Sequence, residues 1–535
     1  MSFSPRALGM DVPITRRDFF DGIAVSCVAG GATGRTALKP PDPPDAFTVR
    51  GDTSEALSVA HALRDGRFWA HAGPPVPTGE SHDLVVVGGG RGGRSAAAEW
   101  LRRHPRASVL LLDNHEALSD REPLAGREAP GDRETSGDRE AIGSREALAG
   151  PAAFDAVMCD AESFGADTLV ETSSPGWIDR LPIAWQARRD LRALHEDPPD
   201  WFPGLPAEGK QERLAELTYA QFLREVCGAH PDAERFCRTM PSPGWGYDTR
   251  AFGAIDAWGT GYPGFAGLGL GREEPSRYNS PTVRRHWHGP APVAAVPPLD
   301  RRVRVRTSSP VVSVRDGAGS ATVGYFDGHQ VRTVEAGAVI LACWSAVVPY
   351  LVPELPEERR RALRQATRVP LLEATVRLRD PGAWRRLGVR RVRWTGAYWC
   401  ASEFTPPDTV RMLATPCRSE LGPGTGSAAG RRELLRTPYS TLEHTVRDQL
   451  ARLLGPAGFD PGGGIAAITV HRWGHALAPE YCRPWHAFYP DGPFPADAAR
   501  GRFGRIAIAG SDAEPAARGE AAVAAALRAV AELAP

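Results

Sequence analysis

Gly88-Gly89-Gly90-Arg91-Gly92-Gly93 has the spacing G-x-G-x-x-G, and Asp113 follows Gly93 by 20 residues. Each glycine of this pattern has a separate use. Gly88 permits a tight turn, Gly90 lets the backbone approach a pyrophosphate, and Gly93 lets a helix pack close to a strand. The N–H groups and positive end of that helix then face the phosphates. An acid ending the next strand accepts a hydrogen bond from a ribose hydroxyl. The implied chemistry is dinucleotide binding, and these residues alone do not say which dinucleotide.

Such a turn works only between a strand and a helix. "DLVVVGGG" (83–90) is an apolar, β-branched run ending in glycines, which predicts a buried strand. "RSAAAEWLRRH" (94–104) has helical spacing, and "ASVLLLDN" (107–114) predicts a second buried strand, so a β-α-β unit opens here. Upstream, residues 33–80 are Pro-rich and then weakly helical, an extension wrapped on the main body. Downstream, residues 182–228 carry two helical patterns, and a Gly/aromatic stretch covers 245–270. A Pro-rich connection (289–299) leads into "VRVRTSSPVVSVRD", "SATVGYFD" and the buried strand "AVILACWS" (338–345). Mixed elements fill 356–475, and the chain closes with strand "GRIAIAGSD" (504–512) and an Ala-rich helix (515–534).

The closing segment resembles the flavoprotein class that includes monoamine oxidase, in which the chain returns at its end to the first domain. The resemblance implies that Asp512, with Gly510 and Ser511, meets the ribityl chain of FAD, although a plain helix N-cap is the other reading of Asp512. "SPVVSV" (309–314) resembles that class's strand beside the adenine, which brings in Val312. A narrower set of phrases, among them "VAHALRDGRFW", "LLDNH", "DAWGTGYPGFAGLGL", "LACWSAVVPYLVPELP", "ITVHRWGH" and "FGRIAIAGSDA", resembles bacterial spermidine dehydrogenases from residue 8 to 533 with gaps. The resemblance implies an FAD-binding Rossmann-like domain, doubly wound and three-layered, interleaved with an α+β substrate domain of the amine oxidase type. It also implies hydride transfer from an amine to flavin, with FAD held by Gly88, Gly90, Gly93, Asp113, Val312, Gly510, Ser511 and Asp512. Trp473, His475 and Tyr481 are the remaining candidates for an aromatic cage, and core packing is their alternative reading. Monoamine oxidases hold a water near the flavin with a Lys; this chain offers Glu373 instead, which could equally face solvent beside Arg377. A haem is kept open as a second cofactor, without a C-x-x-C-H to attach it.

Composition narrows the field further. Lys+Arg and Asp+Glu balance at 64 each, so no global field draws the 535-residue chain to nucleic acid or an anionic membrane. The eight cysteines form no C-x-x-C pair, no metal site is expected, and no apolar run reaches the roughly 18 residues of a membrane span. Arg16-Arg17 before Phe19-Phe20 and a short apolar stretch resembles a twin-arginine export signal, which implies a folded protein outside the cytoplasm; a cytoplasmic protein is the alternative. Residues 121–150 are five hexads opening at Arg121, Arg127, Arg133, Arg139 and Arg145. Their composition predicts a solvated, disordered loop where the related sequences grip the flavin. The expected organisation is a signal (1–32), the extension (33–80), a first FAD-binding part (81–118) and the hexad loop (119–150). A helical part of the substrate domain (151–300), a second FAD-binding part (301–345), the rest of the substrate domain (346–500) and a third FAD-binding part (501–535) follow. Two other readings stay beside amine oxidation: a pseudoenzyme that keeps the fold with weak or no FAD, and an NAD-linked dehydrogenase. The amine, the electron acceptor and the oligomeric state are not readable from the sequence.

Overall fold

The computed structural model describes residues 47–52, 54–116, 118, 154–270, 278, 283, 299–477, 481–514 and 519–533. The twin-arginine stretch and the hexads lie outside the described residues. The strands are β1 (Phe47–Gly51), β2 (Val76–Val87), β3 (Val109–Leu112), β4 (Ala156–Cys159), β5 (Thr168–Glu171), β6 (Val303–Arg306), β7 (Val311–Asp316), β8 (Ala321–Phe326), β9 (Val331–Leu341), β10 (Val369–Leu378), β11 (Arg391–Trp394), β12 (Ala401–Thr405), β13 (Thr409–Ala414), β14 (Ile465–Leu477) and β15 (Ile506–Ile508).

One sheet runs β6-β3-β2-β9-β8-β7, with β15 beside β9. Its β6, β3, β2, β9 and β15 are mutually parallel, while β7, β8 and β9 form an antiparallel meander. The residues of β2 and β3 alternate strictly between two cores. Leu84, Val86, Val109 and Leu111 pack under the Arg91–Arg103 and Gly519–Leu533 helices. Val85, Val87, Leu110 and Leu112 pack against Val312 and Val314 of β7 and the Val348–Leu351 helix. This gives three layers: a helix pair, a parallel sheet and the meander. Both faces are buried, which is why these strands read as unbroken apolar runs. β2 starts at Val76, inside the segment read as an extension, and β1 lies parallel to β14 on the edge of the other sheet.

That second sheet runs β1-β14-β10-β13-β12-β11-β4-β5. Leu372, Ala374, Val376, Ile468 and Val470 form one core with Leu442, Val446 and Leu450 of the Tyr439–Leu454 helix. The opposite face of β10 carries Leu371 and Glu373. Helices between Trp177 and Leu268 build a fourth core rich in aromatics. There the helical pattern after residue 212 is interrupted: Thr218 starts a new turn with a full capping box to Gln221, and Phe222–Val226 widens into a π turn.

Candidate active site

The glycine turn joins β2 to the Arg91–Arg103 helix as its spacing requires. Gly88 has φ +106°, and a Cβ there would lie 2.7 Å from the Ala342 carbonyl oxygen. A Cβ on Gly93 would lie 1.8 Å from the Gly88 oxygen, so that glycine sets the distance between helix and strand. Gly90 differs: a Cβ there would meet nothing within 4 Å. No side chain caps this helix, and no acid stands in its first turn. The open space therefore faces an uncapped helix N-terminus, the arrangement that receives a phosphate. Arg91 adds a cation. Its guanidinium lies over Gly519, where a Cβ would collide with it, so it joins the start of the first helix to the start of the last.

Asp113 follows β3 and is buried. Its Oδ2 accepts the Gly89 N–H at 2.5 Å, and its Oδ1 accepts the His115 N–H at 2.8 Å and faces His115 Nδ1 at 2.9 Å. Burial alone would raise this carboxyl, but the contacts to His115 and to the Gly89 N–H hold it below the usual range. His115 Nε2 reaches Asp52 Oδ1 at 2.9 Å. Burial opposes its charge, yet hydrogen bonds to Asp113 and Asp52 push its pKa up to about 10.

At the other end of the unit, Gly510-Ser511-Asp512 follows β15 and docks on the turn after β9. A Cβ on Gly510 would lie 2.6 Å from the Cys343 oxygen, and Ser345 donates its N–H to Asp512 Oδ2 at 2.8 Å. Arg368 pairs with Asp512 Oδ1 at 2.7 Å and donates to Ser511 Oγ at 2.7 Å. The same guanidinium donates to the carbonyls of His475 (3.3 Å) and Ala476 (2.9 Å). β14 bulges there, because Leu371 pairs with Trp473 but Val369 pairs with Leu477. Arg368 thus ties the bulge to the Asp512 turn. Asp512 sits inside a short 3-10 turn, Ser511–Ala513, with Glu514 extended after it, rather than at the start of a helix. Val312 is fully buried in β7, at an irregularity between Val311 and Ser313.

The three aromatic candidates do not form one cage. The Trp473 ring meets His115 edge-on, with centroids 5.5 Å apart, on the Asp113 side. His475 stacks on Trp344 at 4.6 Å, near the Asp512 turn. Burial, with Arg431 and other cations nearby, keeps His475 neutral, its pKa well below 6.5. Its Nδ1 has no hydrogen-bond partner among the described residues. Tyr481 lies in the aromatic core with Phe488 and Phe494, its hydroxyl accepting the Ala496 N–H. Glu373 is buried rather than facing solvent beside Arg377, which is exposed. It pairs with His471 on the face that Leu371 shares with Trp473. Lys210 is engaged elsewhere, with Asp200 and the Leu268 carbonyl. Asp52, Trp344 and Arg368 went unread in the sequence, because no local pattern marks them. His115 was in view within "LLDNH", without a partner to give it meaning.

These residues fit a dinucleotide that runs from the glycine turn to the Asp512 turn. Residues 290–534 match the model of the family described as flavin containing amine oxidoreductase. The comparison with curated proteins found no match. Among solved structures, cyclohexylamine oxidase from Brevibacterium oxydans IH-35A is similar with a TM-score of 0.50 at 16% identity, covering 84% of this chain and 98% of that one. Wild-type putrescine oxidase bound to putrescine aligns at 16% identity and TM-score 0.47, covering 85% and 99%. The match is to a flavin family and not to an NAD-linked one. Over residues 290–534 the chain is similar to the flavin-containing amine oxidoreductases, a likeness that implies FAD as its cofactor.

Proposed function

We propose that the protein oxidises a polyamine of the spermidine type at a carbon next to nitrogen. Bound FAD would supply the hydride acceptor. The observation that carries the reading is His475: a half-buried, neutral imidazole whose shielded Nδ1 has no partner among the described residues, stacked on Trp344 and joined through Arg368 to the Asp512 turn. A neutral nitrogen in a dry aromatic wall accepts a hydrogen bond from an amine N–H and does not repel the amine as a second cation would. Hydride loss needs the uncharged amine, whose lone pair assists the carbon–hydrogen bond in breaking, and low polarity favours that form.

A polyamine also carries a second ammonium, which needs an acid. Glu373 supports this part of the reading, as a buried carboxylate cross-strand from His471, two residues before Trp473. The phrases shared with spermidine dehydrogenases along the chain support it as well. The test is steady-state kinetics with spermidine and with a monoamine of similar length. Glu373→Gln should lower kcat/KM for spermidine about 10- to 100-fold, the worth of one charge-assisted contact, and leave the monoamine nearly unchanged. Equal loss for both would refute Glu373 as the ammonium partner. A wild type with no preference for the polyamine would refute the substrate class.

A further inference from the structure

We propose that His115 is a positioning residue of the cofactor site: held between Asp52 and Asp113, it fixes the Asp113 carboxylate toward the ribose and ties it to the strand that carries Trp473. The proposal rests on Asp113 being the acid that accepts from the FAD ribose. Both carboxylates are almost fully buried, at 1% exposure for Asp52 and 6% for Asp113. The imidazole spends both ring nitrogens on them, at 2.9 Å each. It has no N–H left for a ligand, so it can act on the cofactor only through Asp113.

Asp52 holds the other end of the bridge. Its N–H donates to the Arg472 carbonyl at 2.7 Å, and its Oδ2 accepts the Gly474 N–H at 2.8 Å. Asp52 thus brackets Trp473 on both sides, while the indole lies edge-on to the His115 ring. Three chain segments far apart in sequence meet here: the end of β1, the end of β3 and the bulge of β14. Carboxylate oxygens accept from neutral donors such as the ribose hydroxyls. Asp113 keeps lone pairs for those hydroxyls after accepting from Gly89 and His115.

The test uses the full chain freed of flavin. ADP and 2′,3′-dideoxy-ADP compete against FAD, and the preference for ADP reads the ribose contact. The wild type should prefer ADP at least about tenfold, the worth of one hydrogen bond to a charged acceptor, and Asp113→Asn should lose that preference. Asp52→Asn should lose most of it too, although Asp52 is reserved for His115 and Gly474. The double variant should be no worse than Asp113→Asn, since the two act as one unit. His115→Gln gives the same comparison if Asp52→Asn does not fold, as judged by melting and near-ultraviolet circular dichroism. If folded Asp52→Asn or His115→Gln keeps the wild-type preference while Asp113→Asn loses it, the positioning role is overturned and the Asp113 reading survives. If the wild type shows no preference, the Asp113 reading falls and the proposal with it.

Discussion

Gly90→Val separates what the glycine turn does for the fold from what it does for the cofactor. Gly90 has φ −68° and ψ −175°, an extended conformation that valine adopts without strain. Its Cβ would enter open space. The apoprotein should therefore lose only about 1 kcal/mol, the usual difference between a favourable and an apolar residue at a helix N-cap. With FAD the outcome differs, because the added side chain occupies the space of the pyrophosphate. Losing two charge-assisted hydrogen bonds of about 1.5–3 kcal/mol each weakens FAD by roughly 10²- to 10⁴-fold. The assay is flavin binding to the apoprotein by fluorescence quenching, with thermal melting of the same samples. Gly93→Ala is the contrasting control: its Cβ would lie 1.8 Å from the Gly88 oxygen, so it should destabilise the apoprotein itself. Gly90→Val that binds FAD like the wild type would show that the turn does not hold the phosphates. A collapse of its apoprotein would show that the space is not open.

Two further outcomes follow from the same geometry, and one from the sequence. Arg368→Met should destabilise the protein by about 3–5 kcal/mol in urea unfolding, because Asp512 is left buried without its counter-charge, and should weaken FAD as well. The His115 contribution should depend on pH with a definite sign. Its pKa is raised in the folded chain, so its stabilisation is fully present below the ordinary imidazole value near 6.5, declines as pH rises, and is gone above about 10. The stability gap between wild type and His115→Gln, on the order of a few kcal/mol at pH 6, should shrink steadily toward pH 10; a gap independent of pH would contradict the charged bridge. We also propose export through the twin-arginine motif: Arg16→Lys with Arg17→Lys should trap the protein in the cytoplasm, as fractionation would show, and normal export of that variant would refute the motif.

What the sequence made legible was local. The β2–glycine turn–helix–β3 unit could be read because consecutive elements pair, and burial on both faces leaves a plain apolar signature. The return of the C-terminus was legible only through family resemblance, since nothing in "GRIAIAGSD" says that β15 joins β9. The site residues were harder. Trp473, His475 and Tyr481 are close in sequence, yet they meet three different neighbours, and β14 bulges between the first two and its end. An aromatic residue's type does not say which surface it will meet. The alternation of β10 does put Glu373 and Arg377 on one face, and burial still separates them, because depth within a sheet is not encoded in the period of two. Asp52 and His115 are 63 residues apart, and Arg368 is 144 residues before Asp512. Such pairs come from topology and leave no spacing to find.

This chain, with its own residues at the two turns, should hold FAD and let an amine reduce it. The direct measurement is the visible spectrum of the purified protein reconstituted with FAD, recorded without oxygen before and after adding spermidine. A bound flavin spectrum should bleach with the amine, and a Gly90→Val sample carried through the same steps should not. Protein that stays colourless after FAD is added, or a bound flavin that no amine bleaches, would contradict it.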